Sequence, residues 1–229
     1  MKRIKLFAVI LIMALVSCSS EDNYSEPTKS ITGGVYDLKS KGLDTEVLIP
    51  AQSPNGARIR AYEGNSNQSL NFWCKLDGSF SNERVFAADY RVIPEGPFIV
   101  LPSDTAFVSV PTAESVKFFV EPFLRIQLKG TLEEQDKVKY EFTISKSDKW
   151  PHDLNQYVLL YSTTQYADNN NYVKRIVVNV SSDKQDEVLD QMLTNSIEGV
   201  QTDKPIYLRV GARTKNTNYY NYSEVIKLN

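Results

Sequence analysis

The feature that most constrains this chain is a hydrophobic rhythm of period two. Val138, Tyr140, Phe142 and Ile144 fall on one side of a run whose other side is Lys137, Lys139, Glu141 and Thr143. A helix would scatter those four apolar residues around its circumference. A strand lying half-buried on a core keeps them on one face. Similar short runs recur from Ile31 to the C-terminus, each bounded by turn residues. Gly56 to Tyr62 alternates small or apolar residues with polar ones, and Asp77-Gly78 supplies a hairpin turn before Phe80. Pro94 and Pro97 confine strand ends between the pair Tyr90 and Val92 and the run Phe98 to Leu101. The 13 Tyr and 10 Phe of the 229 residues favour the same reading. The expected fold is all-β: two β-sandwich domains in tandem, over residues 31–121 and 122–229, meeting at Glu121-Pro122. One short helix is expected in the second, capped by Ser182 or Asp183, with Val188, Leu189, Met192 and Leu193 on its apolar face and Gly199 beyond its end.

The N-terminus is a targeting segment rather than part of the fold. Lys2, Arg3 and Lys5 precede an unbroken apolar run, Leu6 to Val16, too short to span a bilayer, which takes about 20 residues. The following Leu15-Val16-Ser17-Cys18 resembles the lipobox of bacterial lipoproteins. The resemblance implies a signal peptide over residues 1–17, acylation of Cys18, and a polar tether over 18–30 that holds the protein on a membrane. Ser19-Ser20-Glu21-Asp22-Asn23 is similar to the surface-export tag of Bacteroidota lipoproteins, which implies an outer-membrane lipoprotein displayed at the cell surface. Loss of three basic residues with the leader takes the formal charge from −2 to −5. With no basic cluster, nucleic acid is not an expected partner. Acylation of Cys18 leaves Cys74 unpaired, and its phase with Leu70, Phe72 and Leu76 reads as a core position.

Two further resemblances divide the remainder. Gly34-Val35-Tyr36-Asp37, Gly56-Ala57, Leu76-Asp77-Gly78-Ser79-Phe80 and Phe86-Ala87-Ala88-Asp89-Tyr90-Arg91-Val92 resemble the transthyretin-like, carboxypeptidase-regulatory type of sandwich, with Asp89 where that family usually has Gly. Tyr157 to Tyr161, Pro205 to Ala212 and Tyr222 to Ile226 resemble strands of a fibronectin type III domain. There Tyr207 takes the place of the tyrosine-corner residue, whose hydroxyl bonds nearby backbone. That family's buried Trp is missing, so Phe142 or Ile144 must fill its volume. Lipobox, tag and module pair together resemble an uncharacterised family of two-domain lipoproteins from Bacteroidota glycan-utilisation loci. The resemblance implies carbohydrate and outer-membrane transporter components as partners, and supplies no chemistry.

The residues give little support to catalysis, cofactors or a metal. His152, the only histidine, lies in Trp150-Pro151-His152-Asp153 without a nucleophile motif. Asp168-Asn169-Asn170-Asn171 offers oxygens but lacks the glycine and distal glutamate of a calcium loop, and reads as a hairpin turn. Acids such as Glu133-Glu134 sit in solvated runs. Aromatic residues are the better lead. A fibronectin-like topology brings Trp150, Tyr219 and Tyr220 toward the junction of the modules. They form either a stacking platform for sugars, helped by Asn216 and Asn218, or the packing between modules. Trp73, out of phase with its strand's core face, is a further glycan candidate. Asp104-Thr105-Ala106 is similar to the O-glycosylation acceptor of exported Bacteroidota proteins, implying modification of Thr105. Two functions follow: a non-catalytic surface lipoprotein that binds carbohydrate for a glycan-uptake system, or a spacer that docks on the transporter without a ligand of its own.

Overall fold

The computed structural model describes residues 26–52, 56–111, 115–134 and 136–229. The leader, Cys18 and most of the tether lie outside the described residues. The chain is all-β. The first half contains β1 (Lys29–Asp37), β2 (Arg58–Glu63), β3 (Ser69–Trp73), β4 (Ser79–Val85), β5 (Asp89–Glu95), β6 (Phe98–Ile99), β7 (Ala106–Ser109) and β8 (Val116–Pro122). They form two sheets, ordered β4-β1-β8-β6 and β3-β2-β5-β7. Within the first, β1 runs antiparallel to β4 and parallel to β8. Alternate residues of both sheets, among them Ile31, Val35, Ile59, Phe80, Val92 and Phe118, fill the layer between them. Pro94 falls beyond the part of β5 that pairs with β7, so its missing N–H interrupts no ladder there. Cys74 is buried and free, and burial, helped by Asp77, pushes its thiol up to about 12. Leu70 departs from expectation: it is exposed near the start of β3, while Phe72 packs on the core.

The second half contains β9 (Leu124–Glu133), β10 (Lys137–Lys146), β11 (Leu154–Ser162), β12 (Lys174–Asn179), α1 (Gln185–Val188), β13 (Leu193–Glu198), β14 (Tyr207–Thr214), β15 (Asn221–Tyr222) and β16 (Ile226–Lys227). Its sheets are ordered β13-β10-β9 and β12-β11-β14-β15, with β16 also pairing β14. Val138, Tyr140, Phe142 and Ile144 of β10 all point into the core, opposite Leu159, Tyr161, Leu208 and Val210. Phe142 and Tyr157 meet edge to face, with ring centroids 5.4 Å apart. Only Phe123 separates β8 from β9.

The expected short helix is present as a single turn, and the later part of its apolar run is a strand. A 3-10 turn, Ser182–Lys184, leads into the single α-helical turn of α1, after which the chain extends. Leu189 bridges Ile144, and Asp190 takes a left-handed φ of 59° that no helix continues through. Leu193 then opens β13, which pairs with β10 from Phe142 to Lys137. Met192, expected on the apolar face, is 69% exposed. Gly199 turns the chain out of β13 at φ 65° rather than ending a helix. A short apolar run fits either period, and the unpaired edge of β10 decides it by tertiary pairing.

Candidate functional site

On the larger sheet of the second sandwich, β11 and β14 are buried on both faces: Tyr220 and Tyr222 cover Val158 and Leu160, and Arg209 meets the first module, while β12 leaves Val177 exposed. Arg209 of β14 points outward between Leu208 and Val210, yet is 0% exposed. Its Nε donates to Ser223 O at 3.0 Å and its Nη1 to Ala167 O at 3.0 Å. Its Nη2 crosses to the other module, to Ala51 O at 3.1 Å and Leu76 O at 3.2 Å. The guanidinium also lies 4.3 Å from the ring centroid of Tyr222. Burial pulls its pKa down to about 10 against the charges of Tyr222 and Asp168, which leaves it protonated at neutral pH. Asp168 is itself buried beneath the expected turn, its Oδ1 accepting from the backbone N–H groups of Asn170 and Asn171 at 2.8 and 2.9 Å.

Other polar groups extend the seam. Asn221 accepts from Leu124 N–H at 3.1 Å and donates to Pro97 O at 3.0 Å. Tyr222 donates its hydroxyl to Gln52 Oε1 at 2.7 Å. Arg125 grips Asp37 at 2.5 and 2.7 Å and Glu121 at 2.8 and 3.0 Å. This satisfied polar network fixes the two modules as one body.

The aromatic candidates divide among different tasks. Trp150 stacks on Phe123, with centroids 3.6 Å apart and planes 16° from parallel, and its indole N–H donates to Thr214 Oγ1 at 2.9 Å. Tyr219 sends its hydroxyl across the junction to Glu95 Oε1 at 2.9 Å, and Glu95 also holds Arg58 and Arg60. Burial, then the bond to Glu95, raises the Tyr219 phenol. Tyr220 is buried, accepts from Gln156 Nε2 at 2.5 Å and stacks beside Tyr222. Asn216 meets His152, and Asn218 accepts from Arg213. Trp73 is 37% exposed, with the Arg58 guanidinium 5.8 Å from its ring centroid. Thr105 is half-buried after the 3-10 turn Pro102–Asp104. Tyr207 is half-buried as well, and the hydroxyls that reach backbone around it belong to Tyr140, donating to Leu160 O, and Tyr161, accepting from Gln201 N–H. None of the four glycan candidates lines the concavity that the modules form.

That concavity is a groove of about 950 Å³. One wall carries Tyr36 of β1, Glu46 and the turn residues Lys75 and Asp77; the other carries Tyr166, Tyr207, Glu224 and Lys227. Arg209 reaches its floor. A hollow of about 410 Å³ adjoins it, sharing Val47, Leu48, Pro50 and Glu224. Tyr36 is braced by stacking on Phe119 at 5.3 Å, and Lys117 bonds Glu46 at 2.7 Å. That bond lowers the pKa of Glu46, which stays ionised. Tyr166 is 59% exposed. Three tyrosines, amide and carboxylate oxygens and two lysines in one concave surface suit a polyhydroxylated ligand, which needs ring faces and hydrogen-bond partners together. Sequence reasoning missed Tyr36 and Tyr166. The available signal was phase, since Val35 is buried and Tyr36 therefore faces outward. Among the described residues no three His, Cys, Asp or Glu side chains gather to hold a metal ion.

Residues 124–227 match a family model described as Domain of unknown function (DUF3823_C). No curated protein matches the chain. Among solved structures, a DUF3823 family protein from Bacteroides uniformis ATCC 8492 is similar at 21% identity and TM-score 0.75, over 88% of this chain and 99% of that one. One from Parabacteroides merdae ATCC 43184 shares 19% identity at TM-score 0.72, over 90% and 100%. A further B. uniformis ATCC 8492 structure, a "putative carbohydrate binding protein", shares 21% identity at TM-score 0.65, over 88% and 99%.

Proposed function

We propose that this protein is a non-catalytic carbohydrate-binding module; its second module matches the DUF3823_C model and the whole chain shares the fold of DUF3823 family proteins from Bacteroides uniformis and Parabacteroides merdae. In this reading it is anchored at the cell surface through Cys18 and serves a glycan-uptake system beside an outer-membrane transporter. The groove between the modules is its binding site. The observation that carries the reading is the convergence of Tyr36, Tyr166 and Tyr207 on that groove. A structural relative described as a putative carbohydrate binding protein supports it. Isothermal titration of the soluble protein against plant and host polysaccharides tests the proposal. The expected result is saturable binding to at least one, weakened about five- to tenfold in Tyr166→Ala. Failure to bind any, or an unchanged affinity in that variant, contradicts it.

The sealed junction favours a second reading, a rigid spacer that docks on the transporter. Trp150, Tyr219 and Tyr220 are engaged in packing and hydrogen bonds within the protein, as a spacer requires. Recovery of the transporter with the anchored protein, undiminished in Tyr166→Ala and without any glycan affinity, would select it.

A further inference from the structure

A second concavity, of about 700 Å³, lies at the tip of the first sandwich, beyond the start of β3, while the groove borders the turn after β3. Its base is formed by Asp89, Arg91, Phe107 and Ser109, and its side by the turn carrying Asn65 and Asn67. That turn is pinned by Gly64 N–H donating to Asp89 O at 2.8 Å.

Phe107 is 82% exposed, on a strand whose next residue, Val108, faces the core. A lone exposed ring is ordinary at a protein surface; this one stands in a concavity beside an arginine, two asparagines and an aspartate, a mixed lining of the kind small polar ligands use. Directly across the ladder from Phe107 stands Arg91, also exposed. Its guanidinium lies 4.5 Å from the Tyr62 ring centroid, which holds it in place. Among the described residues no carboxylate pairs with it. The one acid lining the hollow, Asp89, accepts the Ser109 hydroxyl at 2.5 Å.

We propose that this hollow binds a uronic acid residue of an acidic polysaccharide. The Phe107 ring stacks on the sugar face, Arg91 takes the carboxylate through its planar fork, and Asn65, Asn67 and Asp89 take hydroxyls. With one arginine and one aspartate in the hollow, the sugar it suits carries a single carboxylate and no further anionic group. The site uses no residue of the groove and stands independently of the function proposed above.

Affinity electrophoresis and titration calorimetry with polygalacturonate, alginate, hyaluronan and neutral dextran test it on the soluble protein. The expected result is binding to at least one of the three uronate polymers and not to dextran through this site. Phe107→Ala and Arg91→Gln each weaken it about tenfold with unchanged melting temperature, and Tyr166→Ala leaves it intact. Methyl-esterification of polygalacturonate, where that is the ligand, reproduces the loss in wild type and adds little in Arg91→Gln. Absence of binding to all three polymers, or equal binding by Phe107→Ala and Arg91→Gln, overturns the site. Loss in Tyr166→Ala alone places the acidic sugar in the groove and also overturns it, leaving the groove proposal standing.

Discussion

The seam around Arg209 and the groove beside it are built from the same strand, and they could hardly differ more in how their polar and aromatic groups are used. Arg209 donates to four carbonyls from both modules, and Tyr222 and Asn221 have found partners across the junction. Two residues earlier, Tyr207 faces a concavity opposite Tyr36, with Tyr166 exposed at the same wall. The seam uses its polar groups mainly on bonds within the chain. The groove keeps the Tyr166 ring 59% exposed in a concave frame, where a ligand can use it. Rigidity matters here, because a groove between freely swinging modules would have to be ordered at the cost of affinity.

The largest effect should come from breaking the seam at its centre. Arg209→Met leaves the carbonyls of Ala51, Leu76, Ala167 and Ser223 without their donor. Each buried acceptor left without a donor costs about 1–3 kcal/mol, so urea unfolding should show a loss of several times that unit, with the groove's affinity falling in parallel. Next, Asn221→Ala removes the acceptor of Leu124 N–H and the donor to Pro97 O, for about 2 kcal/mol by the same measurement.

Acid offers a graded version. Burial alone would raise Glu95, but bonds from Arg58 and Tyr219 and the nearby arginine charges outweigh it, so its pKa is lowered. Glu121 is likewise lowered, because bonds from Arg125 and Ser147 overcome its burial. A carboxylate whose folded pKa lies below its unfolded value stabilises the fold above the unfolded value, about 4.3. That stabilisation is lost as pH falls through the folded pKa. Melting temperature should therefore decline below about pH 4.3, and Glu95→Gln should flatten part of the decline. A profile unchanged in that variant would remove Glu95 from the seam's energetics. The smallest effect on stability belongs to the groove: Tyr166→Ala should shift unfolding by no more than about 0.5 kcal/mol.

How far this comparison could be read before folding depended on which face of a strand was at issue. Val138, Tyr140, Phe142 and Ile144 announced an inner face by alternation alone, and all four are buried. Alternation cannot say whether the opposite face meets water or another module. Arg209 occupied an outward phase and is buried because the first module covers that sheet. The unbroken run Tyr157-Val158-Leu159-Leu160-Tyr161 was the available sign, since a strand apolar on both faces has both covered; Val158 and Leu160 pack with Tyr220 and Tyr222 on that outer side. β13 was hidden for a different reason: Val188, Leu189, Met192 and Leu193 satisfy a helical period, and the edge of β10 that recruits Leu193–Glu198 is distant in sequence. Tyr219 reaches across the junction to Glu95, whereas Trp150 stacks on Phe123, the residue between β8 and β9, and bonds Thr214 within the second module. The groove's tyrosines come from β1, the β11–β12 loop and β14, and only the closed interface brings them together.

The central claim is that aromatics that pack the fold, Trp150 among them, are distinct from the groove tyrosines offered to a ligand. Measuring melting temperature and glycan affinity side by side for Trp150→Ala and Tyr166→Ala tests it most directly. Trp150→Ala should melt lower and keep its affinity, and Tyr166→Ala should melt as wild type and bind about five- to tenfold more weakly. The reverse pattern, with affinity lost at Trp150 and untouched at Tyr166, would contradict the account.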